Sequence, residues 1–175
     1  MRVSTKLAGW KIAVLLCAVS CSGHAAGAAA TNDASGDAGK EAKDPRTKEV
    51  EQLVQHYFRS WSKPDMAAYG ECFMPGAVVQ YFDASGRLTT YSLKPFLASQ
   101  RRAHLTARHK QTEVPLSIDI RFEANLARAV VYWKLTAGSR EEFGYDHFTL
   151  AKQRDKWKIV NLVFYEVKKL EQRKR

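Results

Sequence analysis

At 175 residues, 45% hydrophobic and 11% aromatic, the chain suits one domain with extensions and is too apolar for a disordered protein. Its formal charge of +10 suggests nucleic acid, but much of that charge sits at the two ends. Residues 45–167 hold 18 basic against 13 acidic side chains, a balance of +5, and no nucleic-acid motif, so no nucleic-acid partner is expected.

Residues 1–25 read as an export signal. Arg2, Lys6 and Lys11 precede the apolar run Ile12 to Val19, and small residues Ser20, Ser22, Gly23 and Ala25 follow. The run is shorter than the roughly 20 residues that span a bilayer. Two cleavage sites are open. A cut after Ala25 releases a soluble periplasmic or secreted protein. Ala18-Val19-Ser20-Cys21 also resembles a lipobox, in which Cys21 would carry a lipid and anchor the chain to the envelope. Residues 26–46 contain no large apolar side chain and form a flexible tether. Residues 168–175 are a basic tail, solvated or drawn to anionic lipid.

The domain proper is residues 47–167. Val50, Leu53, Val54, Tyr57, Phe58 and Trp61 make one apolar stripe at helical spacing, predicting a helix over Thr47–Trp61. Ser62-Lys63-Pro64-Asp65 starts a second, short helix that buries Met66, Tyr69 and Phe73 and stops at Met74-Pro75-Gly76. Ala77–Phe82 and Arg87–Tyr91 read as strands around the turn Asp83–Gly86. Ser92 then caps a third helix running to about His104, with Leu93, Phe96 and Leu97 inward. Four long strands follow, Thr112–Phe122, Leu126–Thr136, Glu141–Lys152 and Trp157–Val167. They turn at Ala124-Asn125, Gly138-Ser139 and Arg154-Asp155. Three helices before an antiparallel sheet define an α+β domain with the helices on one sheet face.

Closing each hairpin on its dipeptide assigns the faces, since strand side chains alternate. The helix-covered face collects Leu116, Ile118, Ile120, Phe122, Val131, Trp133, Phe148, Leu150, Ile159, Val163 and Tyr165, with Asp146 and Asn161 as polar intruders. The opposite face carries Tyr132, Tyr145, His147, Leu162 and Phe164. That apolar patch calls for a partner surface, and a homodimer is expected through Tyr132, Tyr145, Leu162 and Phe164.

Tyr145-Asp146-His147-Phe148-Thr149-Leu150 and Lys156-Trp157-Lys158-Ile159-Val160-Asn161 resemble the nuclear transport factor 2-like superfamily, which includes SnoaL-like cyclases and ketosteroid isomerases. The likeness is greatest to its exported branch named for lumazine binding and covers residues 47–167. It implies a cone-shaped α+β roll, often dimeric, and names no activity, because this cone hosts several chemistries.

Within that cone Asp146 is the sharpest candidate for chemistry, with Asn161, Tyr57, Trp61, Tyr69, Trp133 and Tyr165 as pocket residues. A carboxylate on an apolar wall suits a general base abstracting a proton α to a carbonyl, with a tyrosine hydroxyl stabilising the enolate. The favoured reading is a structural pair with Asn161, since a buried carboxylate needs partners for stability in any case. The leading reading is an exported small-molecule-binding domain; the alternatives are an isomerase- or cyclase-like enzyme and a dimeric envelope interaction module. The basic stretch Arg101–Lys110 either attracts an anionic ligand at the cone mouth or is a solvated loop. No cofactor or metal site is called for: no His-x-x-x-His pattern exists, and Cys72 is the domain's one thiol, read as buried and inert.

Overall fold

A computed structural model describes residues 44–168, so the export signal, Cys21, almost all of the tether and nearly all of the basic tail lie outside the described residues. The elements are α1 (Arg46–Ser62), α2 (Met66–Glu71), β1 (Phe73–Phe82), β2 (Leu88–Ser92), α3 (Leu93–Thr106), β3 (Gln111–Glu123), β4 (Leu126–Ala137), β5 (Arg140–Gln153) and β6 (Lys156–Val167). Together they make the expected α+β fold: one six-stranded sheet in the order β2-β1-β6-β5-β4-β3, antiparallel except where β1 runs parallel to β6. Among the described residues no helix is long and apolar enough to cross a membrane.

The amphipathic stripe of α1 buries Val50, Val54, Tyr57, Phe58 and Trp61 against the sheet. At its C-terminal end the Ser62 hydroxyl donates to the Glu113 carbonyl (3.0 Å) and accepts from the Glu113 N–H (2.9 Å), pinning the helix to β3. The opposite end is closed by Glu49, which accepts from Trp157 Nε1 at 3.0 Å and pairs with Lys152 at 3.0 Å. Asp65 caps α2 by accepting from the Ala68 N–H. That helix ends at Glu71, earlier than expected, and Phe73 already pairs with Ile159 as the first residue of β1.

The three hairpins close on the expected dipeptides, and Arg154 and Asp155 both take positive φ, as a two-residue hairpin turn requires. Two bulges then overturn part of the expected register. In β3, Pro115 pairs with Trp133 and Ser117 with Tyr132, so Leu116 is the extra residue and stands 50% exposed instead of in the core. Proline has no N–H for the ladder and belongs at such an interruption. Upstream of the bulge the faces invert, and Gln111 and Glu113 turn inward.

In β6, Thr149 pairs with Asn161 but Leu150 with Ile159, which leaves Val160 as the extra residue. Beyond it every side chain changes face. Leu162 and Phe164, expected on the dimer surface, are buried in the core at 0% and 1% exposure. Asn161, Val163 and Tyr165, expected beneath the helices, point to the opposite face. The expected Asp146–Asn161 pair is therefore absent. Asn161 Nδ2 instead donates to the Val78 carbonyl (3.3 Å) and Gln80 Oε1 (3.4 Å) across the parallel β1 junction.

Candidate functional site

The cone interior is a packed aromatic enclosure holding several polar groups. Tyr57, Trp61, Tyr69 and Trp133, all expected there, are each about 1% exposed. Tyr57 makes ring contacts with Phe58, Tyr69, Phe73 and Phe148 at 4.8–6.0 Å between centroids. Asp146, at 0% exposure, lies opposite Val131 and Phe164, and its Oδ1 accepts from Trp133 Nε1 at 2.8 Å. Trp61 Nε1 donates to Gln100 Oε1 at 2.9 Å. Indole N–H groups thus hold one buried carboxylate and one buried amide in place.

Gln100, Gln111 and Glu113 are interior polar residues that pattern reading assigned no role. Glu113 and Gln111 were hidden by the bulge at Leu116, which Pro115 inside a strand could have signalled. Gln100 lies on the inner face of α3 four residues after Phe96, a helical spacing that could have found it.

Two tyrosines report the electrostatics. Burial raises the Tyr57 phenol well above its ordinary range, and the nearby charges of Asp146 and Glu113 raise it further. Tyr69 is raised chiefly by burial as well, with Glu113 and Asp146 adding to it, while its hydrogen bond with Tyr57 acts the other way. Both phenols therefore stay protonated and keep an O–H to donate. His104 stacks beside Trp61 at 4.4 Å; burial lowers its pKa, and its Nε2 has no hydrogen-bond partner among the described residues.

Tyr165 and Asn161 are not brought to this interior. The Tyr165 hydroxyl meets His147 Nε2 at 3.2 Å on the outer face, beside Tyr145 and Tyr132. Cys72 is buried, and burial pushes its thiol up to about 11, so it is protonated and unreactive at neutral pH. Among the described residues no three His, Cys, Asp or Glu side chains gather as metal ligands.

Four external clefts surround this packed interior, and neither Asp146 nor Glu113 lines any of the four. One, of about 460 Å³, is bounded by Thr106, Arg108, His109, Ser139 and Arg140, with Gln111 and Ala137 below. Gln111 is both a wall of this cleft and 4% exposed, and Glu113 follows it inward on the same strand face.

A family model described as "Putative lumazine-binding" matches residues 45–165. The chain belongs to that family. Solved structures share the fold: a nuclear transport factor 2-like protein of unknown function from Shewanella baltica OS155 has a TM-score of 0.56 at 15% identity, covering 74% of this chain and 100% of its own. A second, from Pseudomonas putida KT2440, has a TM-score of 0.60 at 15% identity, covering 73% of this chain and 90% of its own. A "putative dehydratase from the NTF2-like family" of Streptomyces avermitilis has 0.60 at 11% identity, covering 72% and 100%. At such identities the family's fold is what these structures share with the chain. No curated protein matches it.

Proposed function

We propose that this chain is an exported small-molecule-binding domain whose ligand is held in the cleft at Gln111, at the outer end of a row of interior polar residues that continues through Glu113 towards Asp146. The observation that carries this reading is continuity: Gln111 lines the cleft, Glu113 lies next inward on the same face, and Asp146 lies deeper in the same enclosure. Among the described residues no Lys, Arg or His is fully buried, whereas two carboxyl groups are. An interior rich in acceptors and aromatic faces favours a flat ring carrying N–H donors. A pteridine-like heterocycle, the class the family is named for, has that form.

Trp61 and Trp133 are built-in reporters. Titrating the full chain with lumazine should quench tryptophan emission saturably, and Glu113→Gln should weaken binding about tenfold by removing a charge-assisted acceptor. Unsaturable quenching, equal in both proteins, would reject the reading. Asp146→Asn keeps an acceptor for Trp133 and should cost about 0.5–1.5 kcal/mol of stability, read from urea melts, with affinity nearly unchanged.

A second reading is favoured by the two protonated phenols beside Asp146: an isomerase-like enzyme with Asp146 as base. Under it, Asp146→Asn would abolish solvent-deuterium exchange into an enolisable ketone while the fold survives.

The outer face supports a homodimer. Tyr132, Phe143, Tyr145 and Tyr165 form a ring cluster there, and Val78 and Phe82 extend it, both more than a third exposed. Val163 lies at its centre, between His147 and Gln80. Sedimentation should find a dimer at micromolar concentration and a folded monomer for Val163→Arg, since a two-fold interface meets the charge twice. A wild-type monomer would end this proposal.

A further inference from the structure

Between Asp83 and Glu113 the chain carries six Lys or Arg residues and no Asp or Glu. Arg87 pairs with Asp83 at 3.2 Å. The other five, Lys94, Arg101, Arg102, Arg108 and Lys110, have no ion-pair partner among the described residues. Such a run leaves its cations to solvent or to an external anion.

Helix α3 sorts this segment into two faces. Phe96 and Gln100 point into the cone, whereas Lys94, Ala98, Arg101, Arg102 and Leu105 are exposed along the outer side. A groove of about 530 Å³ lies between α2 and α3. Met66, Ala67, Leu97, Ala98 and Leu105 give it apolar walls, and Lys94, Arg101 and Arg102 give it a cationic border. A second groove of about 410 Å³ shares Lys94 and Leu97 and continues past Leu93 and Ser92 to Gly76. Leu105 is 78% exposed, more than any other large apolar side chain described. The acids nearest in sequence on α2 are its N-cap Asp65, which accepts from Ala68, and Glu71 at its far end; neither lines the grooves.

An occupant must satisfy both halves of this surface. Three border cations call for clustered anions, and Leu105 with its groove calls for apolar atoms directly beneath them. A nucleic acid or a soluble polyanion rewards only the cations. An anionic bilayer presents phosphates above an acyl boundary, the arrangement that surface-lying helices with basic and apolar residues use. The cations Arg101 and Arg102 also sit toward the C-terminal end of α3, where the helix dipole favours positive charge.

We propose that the outer face of α3 docks on an anionic phospholipid membrane. Leu105 enters the headgroup–acyl boundary, and Lys94, Arg101 and Arg102 meet lipid phosphates. The docking surface is separate from the cone, so it does not depend on the ligand reading above.

The test is co-sedimentation of the full chain with phosphatidylcholine vesicles, with and without phosphatidylglycerol. All proteins share the same N-terminal segment and tail, so differences between them report α3. Wild type should prefer the anionic vesicles and release as salt rises. Arg101→Gln with Arg102→Gln should weaken binding roughly twenty-five-fold, about fivefold per charge. Leu105→Ser should weaken it by about tenfold. All three positions are exposed, so circular dichroism should show unchanged folds. Equal binding of wild type and double variant would overturn the proposal, as would loss in the double variant with none in Leu105→Ser, the signature of a polyanion site. Failure of wild type to prefer anionic vesicles would overturn it too.

Discussion

Leu162→Arg should abolish cooperative folding. Leu162 is fully buried beneath the helices, paired with Phe148 on one side and Val79 on the other, in a core that includes Phe164 and Ile159. Losing a buried leucine costs about 2–5 kcal/mol, and an unpaired guanidinium in its place adds several more. Their sum reaches the whole stability of a typical domain, about 5–15 kcal/mol. Its neighbour Val163 faces the other way, and Val163→Arg should still melt cooperatively, losing only the stability that pairing of two copies adds. Melting both variants by circular dichroism checks the contrast. A folded monomer from Leu162→Arg would mean that β6 carries no bulge at Val160.

Gly144→Ala should be the most damaging glycine-to-alanine change among the described residues. A Cβ at Gly144 would lie 2.2 Å from Trp133 Cζ2, 2.7 Å from Cε2 and 2.3 Å from the Tyr165 carbonyl oxygen. Non-bonded carbons rest about 3.5–4.0 Å apart. The carbonyl belongs to paired backbone and cannot swing aside, so the indole or the β5–β6 ladder must move. Trp133 packs over Gly144 and bonds Asp146, so this displacement reaches the site directly. A loss of about 2–4 kcal/mol is expected, about 10 °C in Tm for a domain of this size. Trp133 emission should shift with it. An unchanged Tm and spectrum would show that the indole does not cover Gly144.

These two experiments probe the places where pattern reading and structure part. Helix α1 was legible because a 3.6-residue period is set within one segment and needs no partner to be read. Asp146 and Trp133 were placed in the cone by alternation outward from a short turn, Tyr57 and Trp61 by the helical stripe of α1, and Tyr69 as an inward residue of the short second helix. Strands β4 and β5 keep unbroken register between turn and site, and α1 keeps its period. Tyr165 and Asn161 were lost because Val160 lies between them and the turn. In β6 both faces are apolar, Ile159, Val163 and Tyr165 against Leu162 and Phe164, so alternation cannot reveal where one residue has been added.

Local chemistry in the chain thus determined which segments become helices and strands, where the hairpins turn, and the order of the α+β domain. Each rests on periodicity or turn residues a few positions apart. Only the tertiary structure decided which side of β6 is core, that Glu113 and Gln111 enter the interior, and that Trp133 closes over Gly144 to hold Asp146. The first two outcomes depend on bulges at Val160 and Leu116, and the third on a close approach that no side-chain pattern encodes. A bulge is chosen by the fit of a strand to its neighbours across the sheet, which for β6 are β5 on one side and β1 on the other. In β6 that fit joins residues some eighty positions apart, as Val78 and Asn161, and in β3 residues about twenty apart, as Pro115 and Trp133, so neither is visible in the alternation of a single strand.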